Sequence, residues 1–380
     1  MKIAFVMPWH ISERGGGSEV QANYLAQELA LRGHCVSYIC QTENKSKINS
    51  SERINGFEVF WLKSSGRFAW LDQNKYRDKL QKINPDVVLQ RMTSNVTYII
   101  GEYCRLNHKI FHWFCTDNEV AYKNWHLKKF NQRFKFTFRN GLKFLIFYLN
   151  ARILDFYRDR GMRAVNVAWS QNNFQKERLL QDSKLETHTM ISGHPLPQTL
   201  VNSEENFNQQ TVLWCANLGI HKRPELFIEL ATQMQHTNLK FVIVGGHSNQ
   251  AYVDQLFLNQ PSNLTTYGKC SFDEALSFFD SSSVFINTSN AGGDGFPNTF
   301  IQAWLRGVPT LTLGFDPDSV VVKNELGYTC SSVKQLAQKL QILLNSKEKY
   351  VSMSQNVKRY AEQHHSIKVM TDNFLKHLSE

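Results

Sequence analysis

Apolar residues fall in short unbroken blocks along the first half of the chain: Lys2 to Met7, Cys35 to Cys40, Phe57 to Leu62, Asp86 to Gln90, Lys109 to Phe114 and Ala164 to Trp169. Blocks of this length predict strands buried on both faces, and the helical stretches between several of them, such as Ser18 to Arg32, predict a parallel sheet. A polar, Pro-containing break from Ser192 to Gln210 interrupts the pattern. It then restarts with strands expected at Thr211 to Cys215, Leu239 to Val244, Leu264 to Tyr267, Val284 to Ile286 and Val308 to Leu313. Helices are expected from Pro224 to Met234, from Pro297 to Leu305 and through the tail from Ser346 to Leu378. The chain is thus α/β, with two doubly wound sheets over 1–195 and 208–355, and helix from 356 to 380. No internal repeat is visible. Ligands of such sheets lie at the carboxyl ends of the strands.

The most specific stretch runs from Asp294 through Gly295, Phe296, Pro297, Asn298 and Thr299 to Gln302, then leaves through Gly307-Val308-Pro309. A Gly turn leads to Pro297, placed at the first position of a helix, where its missing N–H is no loss. Phe300, Ile301 and Trp304 form the helix's apolar stripe and Gly307 stops it. The free N–H groups of a helix start favour a phosphate. Asp294 and Gln302, one before the turn and one inside the helix, can flank the same ligand.

This stretch resembles the signature of family-4 retaining glycosyltransferases of the GT-B fold. There two Glu residues bracket Gly-Phe-Pro-Asn, and a small residue, Gly, any residue and Pro form the exit. Both glutamates differ here: Asp294 stands for the first and Gln302 for the second. The resemblance implies two Rossmann-like domains facing a cleft, with the C-terminal helix crossing back to the N-terminal domain. It implies a nucleoside-diphosphate sugar as co-substrate, held by the second domain, and an acceptor hydroxyl in the first. It places Asn217 and Lys222 where the family carries an Arg and a Lys against the diphosphate, and Arg223 can supply the cation that Asn217 lacks. It brings the glycines of the first turn, Gly16 and Gly17, towards the donor. It sets Thr116-Asp117 in the register of a His-Asp pair that touches the donor sugar, with His112 set back in the strand. Asp294, Asp117 and His112 are the catalytic candidates. Negative charge builds on a departing phosphoryl group, so cations are the chemistry such a site needs.

Other readings of the same residues are narrower. Ser18 and Gln21 make a capping box after Gly15-Gly16-Gly17, which starts the first helix there. A nicotinamide-dependent oxidoreductase needs a further Gly where Val20 stands, although Glu43 occupies the place of a ribose-binding acid. A catalytically silent nucleotide-sugar binder accommodates the changes at Asp294 and Gln302. Asp316-Pro317-Asp318 resembles a metal-binding pair but sits in a loop after the wrong strand, and no other cluster has metal spacing, so no metal is expected. Gly193-His194-Pro195 reads as a hinge.

Composition changes the picture in one place. The chain has 380 residues, enough for two domains, and a net charge of +10. Eleven Lys or Arg against two acids between Lys123 and Arg163 give that segment +9, leaving +1 to the rest. Its cations alternate with Phe130, Phe134, Phe136, Phe138, Phe144, Phe147 and Tyr148. This pattern predicts an interfacial segment drawn to an anionic membrane surface, and a lipid-linked acceptor with it. Nothing else supports a nucleic-acid partner. The seven scattered cysteines form no Cys-x-x-Cys pair and suit reduced thiols. Met1 to Val6 opens straight into a strand, and no apolar run is long enough to span a bilayer, so a cytoplasmic protein peripheral to the inner face of the membrane is expected.

Overall fold

The computed structural model describes residues 1–64, 71–93, 96–134, 141–198, 202–247, 249–290, 292 and 294–378; the Arg133 side chain is outside this set. The chain forms two compact units, Met1–Ser192 with Ile367–Glu380, and Gly193–Ser366.

The first unit holds a sheet of eight strands: β1 (Lys2–Val6), β2 (Cys35–Thr42), β3 (Ser51–Ile54), β4 (Phe57–Lys63), β5 (Val87–Arg91), β6 (Ile110–Phe114), β7 (Val167–Ser170) and β8 (Thr187–Thr189). Their order is β3-β4-β2-β1-β5-β6-β7-β8. All neighbours are parallel except β3 and β4. The strand order reverses between β1 and β5. Helices cover both faces, so each face has its own apolar core. β3 and β8 escape the apolar-block reading because Ser-Glu-Arg-Ile and Thr-His-Thr contain no block. Edge strands bury little and can be polar.

The second unit holds six parallel strands: β9 (Thr211–Cys215), β10 (Lys240–Val244), β11 (Leu264–Tyr267), β12 (Val284–Asn287), β13 (Thr310–Leu313) and β14 (Gly327–Cys330). The order is β11-β10-β9-β12-β13-β14, with the reversal between β9 and β12. β14 depends on Gly327, at φ 152°, where a Cβ would lie 1.7 Å from the Thr310 carbonyl oxygen. Only glycine allows this approach. The helix Lys347–His364 belongs to this unit: the Tyr350 hydroxyl donates to the Ser283 carbonyl at 2.7 Å and Ser354 Oγ to the Gly307 carbonyl at 2.6 Å.

The final helix, Ile367–Lys376, belongs to the first unit, where Met370 and Phe374 enter the core. Arg32 anchors it, donating from Nη1 to Asp372 at 2.5 Å and from Nε to Glu28 at 2.8 Å. The chain leaves the first unit after Ser192 and returns after Ser366. These two passages are paired, with the His194 N–H donating to the His365 carbonyl at 2.9 Å.

Candidate functional site

The reversal of strand order in the second sheet brings the exits of β9 and β12 side by side, the usual place for a ligand in such a sheet. From β9 the chain hugs the end of β10: the Ala216 N–H donates to Val244 at 3.1 Å and the Leu218 N–H to Gly246 at 2.8 Å. A Cβ on Gly245 would meet the Ala216 carbonyl oxygen at 1.8 Å, so glycine is required there. Asn217 lies exposed on this loop. A short 3-10 turn, Ile220–Lys222, then meets the helix Pro224–Gln233, with Pro224 at its first position.

Arg223 joins the two with φ 49°, an uncommon conformation for a residue with a side chain. Its guanidinium holds it there. Nε donates to the Thr288 carbonyl at 2.7 Å, and Nη2 donates to those of Ser289 at 3.2 Å and Leu313 at 2.9 Å. Thr288 Oγ1 lies 2.7 Å from the Lys222 carbonyl and accepts from the buried Trp214 Nε1 at 2.9 Å. The Asn290 N–H donates to the His221 carbonyl at 2.9 Å. The loop carrying Lys222 is therefore fastened to the loop leaving β12, and the Lys222 ammonium pairs with the Asp294 carboxylate. Both side chains keep access to solvent, 17% and 25%.

Beyond Asp294, Gly295 is buried and Phe296 stacks on His365 with centroids 5.1 Å apart. Pro297 is the cap of the helix Asn298–Trp304 rather than its first residue, with ψ 123°. Extended backbone there lets the chain turn before the helix begins. Asn298 hydrogen-bonds the side chain of His194, a ring 2% exposed whose pKa falls to about 3 because burial disfavours its charged form. Thr299 is half-buried. Gln302 is buried, and its side chain makes no hydrogen bond among the described residues. Phe300, Ile301 and Trp304 are fully buried and fix the helix against the sheet.

In the first unit the helix begins at Gly17 with Gly16 as its cap. The expected Ser18–Gln21 box does not form, since Ser18 Oγ is buried without a partner among the described residues. Glu19 folds back instead: its own N–H bonds the carboxylate, and a Cβ on Gly16 would lie 2.5 Å from Oε2. Burial raises the Glu19 pKa. It lowers that of neighbouring Arg91, at the end of β5, to about 10. Asp117 closes a turn by accepting from the Val120 N–H at 2.8 Å, and burial raises its pKa. His112 is 0% exposed, accepts from Trp169 Nε1 at 3.2 Å and lies edge-on to Phe374. In this structure it is a core group.

Several of these features have no sequence signal: the Gly245 approach, the Thr288 and Ser289 carbonyls, and the seat of Asn298 on His194. Asp316 is occupied by backbone, accepting from the Val321 N–H at 2.9 Å and the Val322 N–H at 3.2 Å. Among the described residues no group of three His, Cys, Asp or Glu could hold a metal, and no helix is long and apolar enough to cross a membrane.

Residues 198–360 match the family of group 1 glycosyl transferases. An uncharacterized glycosyltransferase of Haemophilus influenzae is 22% identical over 98% of both chains. Among solved structures, Anabaena HepE in complex with UDP-glucose superposes with a TM-score of 0.69 at 16% identity, over 100% of this chain and 99% of that one. Sucrose-phosphate synthase of Thermosynechococcus elongatus gives 0.73 at 13% identity, over 99% and 98%. WaaG, a glycosyltransferase involved in lipopolysaccharide biosynthesis, gives 0.67 at 14% identity, over 98% and 99%. The fold is that of the GT-B glycosyltransferases.

Proposed function

We propose that this chain is a retaining glycosyltransferase that moves a sugar from a nucleoside-diphosphate sugar to an acceptor hydroxyl. The observation that carries this reading is the Lys222–Asp294 pair at the β9/β12 reversal, inside the region that matches group 1 glycosyl transferases. HepE, a structure of the same fold, was crystallised with UDP-glucose, which supports a nucleotide-sugar donor.

In this reading the second unit holds the donor. Lys222 and the start of the helix Asn298–Trp304 meet the diphosphate. Arg223 acts through its clamp on three carbonyls, keeping Lys222 in place. Asp294 orients the ammonium and accepts from sugar hydroxyls, and Gln302, without an internal partner among the described residues, faces the ribose. As the glycosidic bond lengthens, Lys222 stabilises the charge growing on the leaving phosphate. The acceptor hydroxyl attacks from the face the phosphate leaves, bonding to the anomeric carbon while its proton passes to a phosphate oxygen. Configuration is retained, and the protein supplies position and charge rather than a nucleophile.

The acceptor is held by the first unit, and we place it on a lipid at a membrane surface. The basic segment from Lys123 to Arg163 favours this, as does the role of WaaG, a structural relative, in lipopolysaccharide biosynthesis. Residues 135–140 of that segment lie outside the described residues.

Incubation with a panel of nucleoside-diphosphate sugars, following nucleotide release and product configuration, tests the reading. Release from one donor with the α or β configuration preserved is expected. Binding without release identifies a silent binder. Binding of a nicotinamide dinucleotide in place of every nucleotide sugar overturns the proposal.

A further inference from the structure

The aromatic rings of the basic segment are used inside the protein. Phe130 packs at 4.9 Å on Phe144 and 6.0 Å on Tyr148, and Phe134 at 5.5 Å on Phe147, joining the helix Trp125–Arg133 to the long helix Gly141–Met162. The opposite face of the long helix is different. Leu142, Leu145, Ile146, Leu149, Ile153 and Phe156 are between 38% and 75% exposed. Their spacing of three and four residues sets them in one stripe, about 21 Å long at 1.5 Å per residue. Isolated exposed leucines are ordinary, but a continuous stripe marks an interaction surface.

The charges around the stripe identify its occupant. Lys143 and Arg152 flank it, at 100° per residue Arg160 continues its line, and Arg163 follows the helix's last residue; all four are exposed. The acids of this helix are engaged elsewhere. Asp155 accepts from the His126 and Leu127 N–H groups, both at 2.9 Å, and Asp159 pairs with the buried Arg158 at 3.1 Å.

At the stripe's end the helix crosses the helix Val96–Leu106 at Gly101 and Gly161. A Cβ on Gly161 would lie 2.4 Å from the Thr97 carbonyl. Beside this close crossing opens a groove of about 490 Å³, lined by Tyr98, Arg105, Phe156, Arg160 and Arg163 among others. Two acids also line it: Glu102 accepts from Arg77 at 3.0 Å and from the Tyr98 hydroxyl at 2.9 Å, and Asp159 pairs with Arg158 at 3.1 Å. Among the described residues Arg105, Arg160 and Arg163 have no carboxylate partner.

We infer that this face seats the protein on anionic phospholipid, the stripe lying at the acyl-chain boundary and a lipid phosphate entering the groove of Arg105, Arg160 and Arg163. The inference rests on the membrane-surface reading of the acceptor and adds the face, the depth and the headgroup chemistry. A second copy of the chain fits less well, because it would bring two rows of cations together. An anionic interface matches both the apolar stripe and the cations that have no carboxylate partner among the described residues.

The test is co-sedimentation of the full chain with vesicles of phosphatidylcholine, alone or mixed with phosphatidylglycerol. Wild type is expected to prefer the mixed vesicles. Combined Arg105→Gln, Arg160→Gln and Arg163→Gln should weaken that binding about a hundredfold, since each cation near an anionic surface contributes about fivefold. Combined Leu145→Ser, Leu149→Ser and Phe156→Ser should abolish binding to both vesicles. The thermal shift given by UDP, read without vesicles, checks folding and the donor site separately. Its loss in wild type counts against the proposed donor, not against this face. Wild type that ignores anionic vesicles, wild-type vesicle binding by either folded variant, or a dimer dispersed by the stripe variant overturns the inference. The arginine variant changes only exposed groups and decides the matter even if the stripe variant fails to fold.

Discussion

The Lys222 ammonium meets the Asp294 carboxylate across 72 residues of sequence because two loops from adjacent strands are fastened together beneath it. As a partly exposed pair it adds little to stability, at most about 1 kcal/mol. Its value lies in position. Asp294→Asn is expected to lower kcat about a hundredfold, the usual scale for losing one preorganised electrostatic group. The unfolding midpoint should barely move. Unchanged turnover in a folded variant reduces Asp294 to a turn residue.

Arg223 should behave as a structural clamp. Arg223→Lys keeps the charge but cannot reach the Thr288, Ser289 and Leu313 carbonyls together. A loss of about 1.5–3 kcal/mol in denaturant unfolding is expected, as for hydrogen bonds from a charged donor, with weaker donor binding following from a displaced Lys222. Wild-type stability in this variant contradicts the clamp.

Acid should destabilise the fold through buried histidines. His194 and His10 are 2% and 1% exposed, and burial lowers their pKa to about 3 and about 4 from 6.5. Between those values and 6.5 the unfolded chain binds more protons than the folded one, so stability is fully present above pH 6.5 and falls as pH decreases. Each group contributes a slope approaching about 1.4 kcal/mol per pH unit. Glu19 and Asp117, with raised pKa, give the opposite slope in the carboxylate range. Urea unfolding from about pH 7 to about pH 5 should show a falling midpoint, flattened by His194→Gln. A midpoint that rises on acidification contradicts the assignment.

Gln302 bears on the nucleotide. Its amide has one acceptor oxygen, and it has no hydrogen bond among the described residues, whereas a Glu there offers two equivalent oxygens to both ribose hydroxyls. A deoxyribose needs only one acceptor. Deoxythymidine diphosphate is therefore expected to bind at least as tightly as uridine diphosphate, with Gln302→Glu reversing the order. Tighter uridine diphosphate binding that Gln302→Glu leaves unaltered removes Gln302 from sugar reading.

The parallel strands of both sheets were legible where apolar residues run together, as in β1, β6, β9 and β12, because burial on both faces demands it. β14 was not, because Gly327 acts through the space it leaves rather than through hydrophobicity. Of the candidate residues, Lys222 and Asp294 stand out in sequence, where residue type and turn chemistry coincide, and the fold pairs them. Arg223 reads as a free cation in sequence, since its carbonyl partners lie 65 to 90 residues away and backbone acceptors carry no sequence signal. Direction was also hidden. His112 sits at the expected strand but faces the core, and the rings around Phe130 face a neighbouring helix while Leu142 to Phe156 face out.

Calorimetric titration of UDP and of uridine into wild type and Lys222→Ala tests the central claim, that the second unit holds a nucleoside diphosphate at Lys222. A charge-assisted contact to phosphate predicts that the variant loses about ten- to a hundredfold in UDP affinity and almost nothing for uridine. Equal losses for the two ligands, or no loss for either, would contradict it.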